Sequence, residues 1–153
     1  MKDLSAGELP LRKIFSSDYE FTIPDYQRPY AWGKDQALQL LDDLEGALAR
    51  DTDEPYFLGS IVLVKESNDP RAEVIDGQQR LTTLSILFAV LRDLAENPKL
   101  AGELAKVVME PGEIMAGTQA KPRLTLRKRD AGFFAEHVQA EGATEGLSDL
   151  DDA

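Results

Sequence analysis

The chain has 153 residues, which suits one domain with one hydrophobic core. Hydrophobic residues make up 42% and charged residues 29%, both ordinary values for a soluble globular protein. No apolar run reaches the length of a membrane span, and the N-terminus lacks the apolar stretch of a secretory signal. The absence of cysteine excludes disulfides and thiolate zinc sites. We therefore expect a cytoplasmic protein without membrane association.

The net charge of -11 argues against a protein that coats nucleic acid with its whole surface, because such proteins are usually basic. The charge is unevenly distributed, however. Residues 121–129 contain five basic side chains and no acid, whereas residues 141–153 contain five acids. The acidic tail predicts a mobile linker. We therefore place one domain at residues 1–140 and expect residues 141–153 to lead to a C-terminal region outside this chain.

The first half of the chain alternates between helical and extended patterns. Residues 4–15 predict a short helix, and residues 19–23 alternate like a strand. Two prolines in residues 23–32 exclude a regular helix there and favour an ordered extended loop. Residues 35–50 predict an amphipathic helix. Its apolar face is expected to hold four leucines at helical spacing: Leu38, Leu41, Leu44 and Leu48.

The middle of the chain predicts a hairpin followed by the longest helix. Residues 56–65 are apolar enough for a strand buried on both faces, and residues 71–75 predict the returning strand after a turn at 68–70. Residues 78–94 predict a helix that ends before Asn97 and Pro98. Its core face is expected to contain Leu81, Leu84, Leu87, Phe88, Leu91 and Leu94.

The last third predicts shorter elements: a helix at 99–109, a loop at 111–121, a strand at 123–126 and a helix at 130–139. Strands and helices mixed in this order indicate an α+β domain, with a small mixed sheet flanked by helices.

A first candidate site is the run Asp76-Gly77-Gln78-Gln79-Arg80, at the junction of a strand and a helix. The first turn of a helix has unpaired N–H groups and a partial positive charge, so it attracts anions. Gly77 would allow a ligand to approach the backbone closely. Arg80 opposes the helix dipole unless it faces a phosphate, which its planar fork can bind through two oxygens.

A structural alternative for this run is a helix cap. Asp76 would accept from the first turn, and Gln79, three residues later, would complete a capping box. A cap explains neither Arg80 nor the second glutamine. Gln78 and Gln79 could orient a water or read a base, and Asp76 could hold a divalent metal or polarise a water. The spacing does not match a P-loop or a dinucleotide-binding glycine pattern.

A second candidate site is the run at residues 26–32, which combines aromatic rings with an amide and a guanidinium. The aromatic rings can stack on bases, and Arg28 can meet a phosphate. The structural alternative is a rigid loop whose rings fill the core. Two segments that each contain a Gln-Arg pair suggest two walls of one anion pocket. The side chains concerned are Tyr26, Gln27, Arg28, Tyr30 and Trp32.

The basic run is a weaker candidate for a DNA-backbone contact, because a charged run is usually a solvated face. Its members are Lys121, Arg123, Arg127, Lys128 and Arg129. His137 is the only histidine and has no partner set for a metal or nucleophile. An HNH nuclease site therefore cannot be built from this chain.

Four blocks of the sequence together resemble the N-terminal domain of GmrSD-type restriction proteins, a domain shared with the phosphorothioate-sensing protein SspE. The blocks are IPxYQRxYxW at 23–32, YFLGSIVL at 56–63, IDGQQRLTTL at 75–84 and RLxLxxxDxxxF at 123–134. The resemblance covers residues 5–138 and preserves the order and spacing of the blocks. It implies a ParB/sulfiredoxin-like fold.

The resemblance further implies a nucleoside triphosphatase, using GTP in the SspE-like members, coupled to recognition of modified DNA. Phosphorothioated and glucosylated DNA are the kinds of modification implied. Asp76 to Arg80 would form the hydrolysis motif, with Mg²⁺ or another divalent cation accompanying the nucleotide. The residues Gly77, Arg80, Gln27 and Arg28 would bind phosphates, and Tyr26, Tyr30 and Trp32 would sense the modification. The implied partner is an HNH-type nuclease region or subunit.

Three hypotheses remain open on the sequence alone. The domain could hydrolyse nucleotides, it could bind nucleotide or DNA phosphate without turnover, or it could be a purely structural interaction domain. Self-association into a homo-oligomer is also left open.

Overall fold

A computed structural model describes residues 7–50 and 57–149. A four-stranded sheet has the order β2-β3-β1-β6 and is formed by β1 (Glu20–Thr22), β2 (Val62–Lys65), β3 (Arg71–Asp76) and β6 (Leu124–Thr125). The strand β1 is parallel to both β3 and β6, whereas β2 and β3 form the predicted antiparallel hairpin. A two-stranded ribbon pairs β4 (Met109–Glu110) with β5 (Lys121–Pro122).

The helices are α1 (Leu11–Ile14), α2 (Lys34–Ala49), α3 (Gln78–Leu94), α4 (Pro98–Val108) and α5 (Lys128–Phe134). The chain continues from α5 into a π-helical turn, Ala135–Gln139, and then into a 3₁₀ helix, Ala143–Asp149. These elements confirm the predicted α+β class. The helix predicted at 4–15 is one turn within the described part of that range, and its first three residues lie outside the described residues.

The core lies between one face of the sheet and α3. Phe21, Val74 and Leu124, one from each of three adjacent strands, are almost completely buried. In β3 the buried Ala72 and Val74 alternate with exposed residues, so only one face of the sheet is covered. Leu81 and Leu84 pack on this face from α3.

The strand β2 differs from the prediction of a strand buried on both faces. It lies at the edge of the sheet, and Val62 is exposed. Tyr56, at the predicted start, lies outside the described residues. An apolar sequence alone does not distinguish a central strand from an edge strand, because strand order depends on distant pairing.

The predicted apolar face of α2 is only partly correct. Leu40 is the leucine that α2 buries, whereas Leu38 is exposed and Leu48 is 82% exposed. In α3 the predicted bounds are confirmed, but two of the leucines predicted on its core face are exposed, Leu91 to 42% and Leu94 to 69%. The buried face of α3 instead includes polar residues: Gln78, Thr82, Thr83, Ser85 and Arg92.

Part of the segment predicted as a mobile linker, Ala143–Asp149, is a 3₁₀ helix, whereas residues 150–153 lie outside the described residues. The 3₁₀ helix packs against α3 and the π-helical turn. Asp93 of α3 accepts hydrogen bonds from the backbone N–H groups of Gly142 and Thr144, at 2.8 and 3.1 Å. A buried hydrogen-bond acceptor therefore fixes a segment whose composition suggested a linker.

Candidate functional site

Three separate segments meet at one edge of the sheet. The parallel strands β1 and β3 end there, so the loop after β1 adjoins the start of α3. The strand β2 runs antiparallel to β3, and its first residue, Val62, pairs with Asp76. The segment before β2 therefore reaches the same place. Residues 24–32, 57–61 and 76–80 form this junction.

Two glutamines join the loop after β1 to the start of α3. Gln27 donates through Nε2 to the carbonyl oxygen of Ile75 at 3.1 Å. Gln78 is buried and donates through Nε2 to Gln27 Oε1 at 3.3 Å. The two segments that contain the Gln-Arg pairs thus contact each other through the amides of Gln27 and Gln78.

Gln79 binds the same loop through both ends of its side chain. Its Oε1 accepts from the backbone N–H groups of Ala31 and Trp32, at 2.7 and 3.1 Å. Its Nε2 donates to the carbonyl oxygen of Pro29 at 3.1 Å. These three bonds fix the loop on α3.

The capping box considered for Asp76 and Gln79 is not formed. The residue before α3 is Gly77, which has no side chain to cap the helix, and Asp76 is the exposed last residue of β3. Gln79 uses its amide on the loop instead. The structural role of Gln79 is therefore to hold the loop after β1 on α3, and helix capping is not its role.

Gly77 is required by its backbone conformation and by a close contact. Its φ is 92°, in the left-handed region that favours glycine. A Cβ at this position would lie 2.6 Å from Ile61 Cγ2 and 2.9 Å from the carbonyl oxygen of Ser60. The sequence predicted that a ligand would approach the backbone at Gly77. In the structure the segment before β2 occupies that position instead.

Arg80 lies at the centre of the junction. Its guanidinium carbon is 5.8 Å from the centroid of the Trp32 ring. It also contacts Gly59, where an added Cβ would lie 2.7 Å from Arg80 Cζ. Arg80 Nε is buried and has no hydrogen-bond partner among the described residues. This unused N–H group is the least satisfied polar atom of the junction.

Arg80 lines a cavity of about 450 Å³ between α2 and the segment before β2. The first helical turns of α2 contribute one wall, and Trp32, Leu58 and Arg80 contribute the other. The complete lining is Trp32, Asp35, Gln36, Gln39, Leu40, Asp43, Leu58 and Arg80.

Arg28 lines a different cleft, of only about 10 Å³, together with Tyr30 and Arg127. Gln78 and Gln79 also line this cleft. Successive side chains of an α-helix point about 100° apart, so Arg80 leaves α3 on another side. The sequence predicted one pocket with an arginine on each of two walls. In the structure Arg28 and Arg80 instead line two separate cavities.

The aromatic residues of the loop have unequal exposure. Tyr26 is 71% exposed, whereas Tyr30 is less exposed and its hydroxyl hydrogen-bonds Thr83 Oγ1 at 2.8 Å. Trp32 is half-buried against Arg80. Tyr26 is therefore the most exposed ring of the loop, and Arg28, two residues later, is also exposed.

A family model described as the GmrSD restriction endonuclease, N-terminal domain, matches residues 11–150. The chain belongs to this family. The match confirms the resemblance drawn from the four sequence blocks, and it identifies the chain as a domain of a restriction protein. It also reaches well beyond residue 140, in agreement with the packed 3₁₀ helix. No curated protein matches the chain.

Most of the basic run in this GmrSD N-terminal domain is used internally. Lys121 pairs with Glu20 at 3.2 Å, and the buried Arg123 donates to the carbonyl oxygen of Lys106 at 2.6 Å. Burial lowers the pKa of Arg123. The run thus does not form a continuous basic edge.

The remaining basic residues surround the start of α5. Arg127 pairs with Asp130 at 2.9 Å and donates to the carbonyl oxygen of Gln27 at 3.2 Å. Lys128 and Arg129 have exposed side chains. They lie beside the Tyr26–Arg28 loop, because Asp25 accepts a hydrogen bond from the Lys128 N–H at 3.0 Å.

Several residues of the junction had no role assigned from the sequence. Gly59 and Leu58 belong to a block of the family resemblance, but only their position beside Arg80 explains them. Thr83 anchors Tyr30 from inside α3. The polar face of α2, which lines the cavity, resembles an ordinary solvated helix face in the sequence. Only the three-dimensional contacts identify this helix face as part of a cavity.

Among the described residues there is no cluster of three or more His, Cys, Asp or Glu side chains arranged to hold a metal. Asp76 offers one exposed carboxylate at the junction. No helix in the described part of the chain is long and apolar enough to cross a membrane.

Proposed function

We propose that this domain binds and hydrolyses a nucleoside triphosphate, with GTP the candidate favoured by the family resemblance, in the cavity lined by Arg80. The observation that supports this most is the buried, unpaired Nε–H of Arg80. A buried donor without an acceptor costs about 1–3 kcal/mol. A phosphate oxygen in the cavity would meet the guanidinium, and a rotation of the Arg80 side chain that exposed Nε would satisfy this donor as well.

The sizes of the two cavities favour the same assignment. The Arg80 cavity, at about 450 Å³, lies within the range of small-molecule sites. The Arg28 cleft, at about 10 Å³, has room for little more than a water molecule. We therefore assign the nucleotide to Arg80 and exclude Arg28 from its binding site.

Arg80 would hold the phosphates and stabilise the negative charge that develops during phosphoryl transfer. Asp76 does not line the cavity, but its exposed carboxylate lies at the same junction, and Mg²⁺ is usually bound by one or two carboxylates together with substrate phosphates. The cation, when bound, would neutralise phosphate charge.

Gln78 and Gln79 were assigned to catalysis from the sequence. Their amides already bind the loop, so we propose that they position it.

The exposed side of the loop is suited to sensing DNA. Tyr26 and Arg28 face solvent, with Lys128 and Arg129 beside them. An aromatic face and three exposed cations, of which Lys128 also lies 3.9 Å from Asp25 Oδ2, are suited to a modified nucleotide and its backbone. Because Gln79 joins this loop to the turn that contains Arg80, DNA contact and nucleotide contact would share one rigid connection. We propose that the domain senses modified DNA in this way and regulates a nuclease.

The test is phosphate release by the full-length protein from GTP, ATP, CTP and UTP with Mg²⁺, with and without phosphorothioated or glucosylated DNA. Arg80→Ala is expected to abolish release. Arg71→Ala is the matched control, because Arg71 lies at the opposite end of β3 and pairs only with the neighbouring Asp69 among the described residues. It should retain full activity.

Two results would contradict the proposal. Unchanged turnover by Arg80→Ala, in protein with an unaltered melting temperature, would exclude Arg80 from the site. Nucleotide binding without release under any condition would leave a non-catalytic module, and failure to bind nucleotide or DNA would favour a structural domain.

A further inference from the structure

The cavity beside Arg80 has two chemically different walls. The guanidinium of Arg80 supplies only hydrogen-bond donors. The wall from α2 instead supplies acceptors, since Asp35 and Asp43 are carboxylates and Gln39 presents an amide oxygen. A ligand that fits both walls carries an anionic group at one end and hydrogen-bond donors at the other.

Asp43 is the best-placed acceptor for the uncharged end of such a ligand. Asp35 lies in the first turn of α2, close in sequence to the Trp32 ring that stacks on Arg80. Asp43 follows eight residues later, about 12 Å further along the helix. Asp43 therefore lines the cavity about two helical turns from the end of α2 that adjoins Trp32 and Arg80.

The side chain of Asp43 is held in place but still has a free acceptor. Gln39 donates through Nε2 to Asp43 Oδ1 at 2.9 Å, and the Asp43 carboxylate accepts no other hydrogen bond within the described residues. Asp43 Oδ2 therefore remains available. Leu40 and Leu58, also in the lining, supply apolar surface for the faces of a flat ring.

We infer that Asp43 reads the nucleobase and selects guanine, an inference that rests on the proposed nucleotide site. Guanine presents a ring N–H next to an amino group, so a carboxylate can accept from both. Adenine presents its amino group next to a ring nitrogen that only accepts, and this nitrogen would face the carboxylate unfavourably. Sites built on such hydrogen bonds discriminate strongly against analogues that cannot form them.

The experiment measures binding of βγ-imido triphosphates of guanosine, adenosine and xanthosine to the full-length protein with Mg²⁺, by calorimetry. These analogues separate base recognition from turnover. The wild type is expected to prefer the guanosine analogue over the adenosine analogue by roughly ten- to hundredfold. Asp43→Asn should lose most of this preference. It should gain affinity for xanthosine, because xanthine has an oxygen where guanine has its amino group.

Asp42→Asn is the matched control. Asp42 is the adjacent residue on the same helix, is exposed and does not line the cavity, yet the substitution changes the charge equally. It should bind all three analogues as the wild type does. Gln39→Ala is a second variant, which keeps the carboxylate but removes its orienting bond. It should reduce the preference for guanine by a smaller factor.

An unchanged guanine-to-adenine ratio in Asp43→Asn would overturn the inference. An equal loss of all three analogues would also overturn it, because the carboxylate would then act on a metal or on folding. If Arg80→Ala abolishes binding while Asp43→Asn behaves as wild type, the nucleotide site stands and only the reading of the base fails. If the wild type binds no analogue, the proposed function fails as well.

Discussion

Asp93 and Arg92 form a buried ion pair that fixes the C-terminal segment to α3. Their side chains are each 3% exposed, and Arg92 Nε lies 2.8 Å from Asp93 Oδ1. Arg92 also donates to the carbonyl oxygens of Val138, Gln139 and Ala140, at 3.0, 2.7 and 2.8 Å. Breaking this pair should release the end of the domain.

The expected cost of Asp93→Ala follows from these contacts. Removing one partner of a buried ion pair costs about 3–5 kcal/mol, because the other charge stays buried; Arg92 would keep only neutral carbonyl acceptors. Thr144 Oγ1, which donates to Asp93 at 2.6 Å, would also lose its acceptor. For a domain of this size we expect a fall in melting temperature on the order of 10 °C.

The assay is thermal denaturation combined with amide hydrogen exchange. Asp93→Ala should lower the melting temperature and remove the protection of the amides of residues 142–149. Asp69→Ala is the control, since Asp69 pairs with the exposed Arg71 and should leave the melting temperature nearly unchanged. Equal melting temperatures for the two variants would refute the reasoning.

Two further predictions concern pH and glycine. Burial raises the pKa of Asp93, but hydrogen bonds from Arg92, Thr144 and the Gly142 N–H offset this and hold the pKa well below its usual value. The stability that Asp93 adds is therefore complete above about pH 5 and decreases as the pH falls further, so urea titrations of wild type and Asp93→Asn should converge in acid. Gly77→Ala should destabilise by about 1–3 kcal/mol, because it combines a positive φ with overlap on Ile61. Gly132→Ala, in open space within α5, should be neutral or stabilising in the same urea titration, and equal effects of the two would contradict the contact argument.

The sequence by itself determined the elements whose signals are local. Periodicity defined α3, and the turn residues near Pro70 indicated the hairpin of β2 and β3. The α+β class followed from the order of these elements. The four motif blocks identified the family, because their order and spacing are properties of the chain alone.

Only the tertiary structure decided how the motif residues are used. The parallel pairing of β1 with β3 brings the two Gln-Arg segments together, but the rotation between successive residues of α3 sends Arg80 away from Arg28. The tertiary structure also decided that Leu40 is the buried leucine of α2. It decided as well that Arg123 is buried and not exposed to DNA. These outcomes depend on contacts between residues distant in sequence, and a local pattern contains no information on which distant residue covers it.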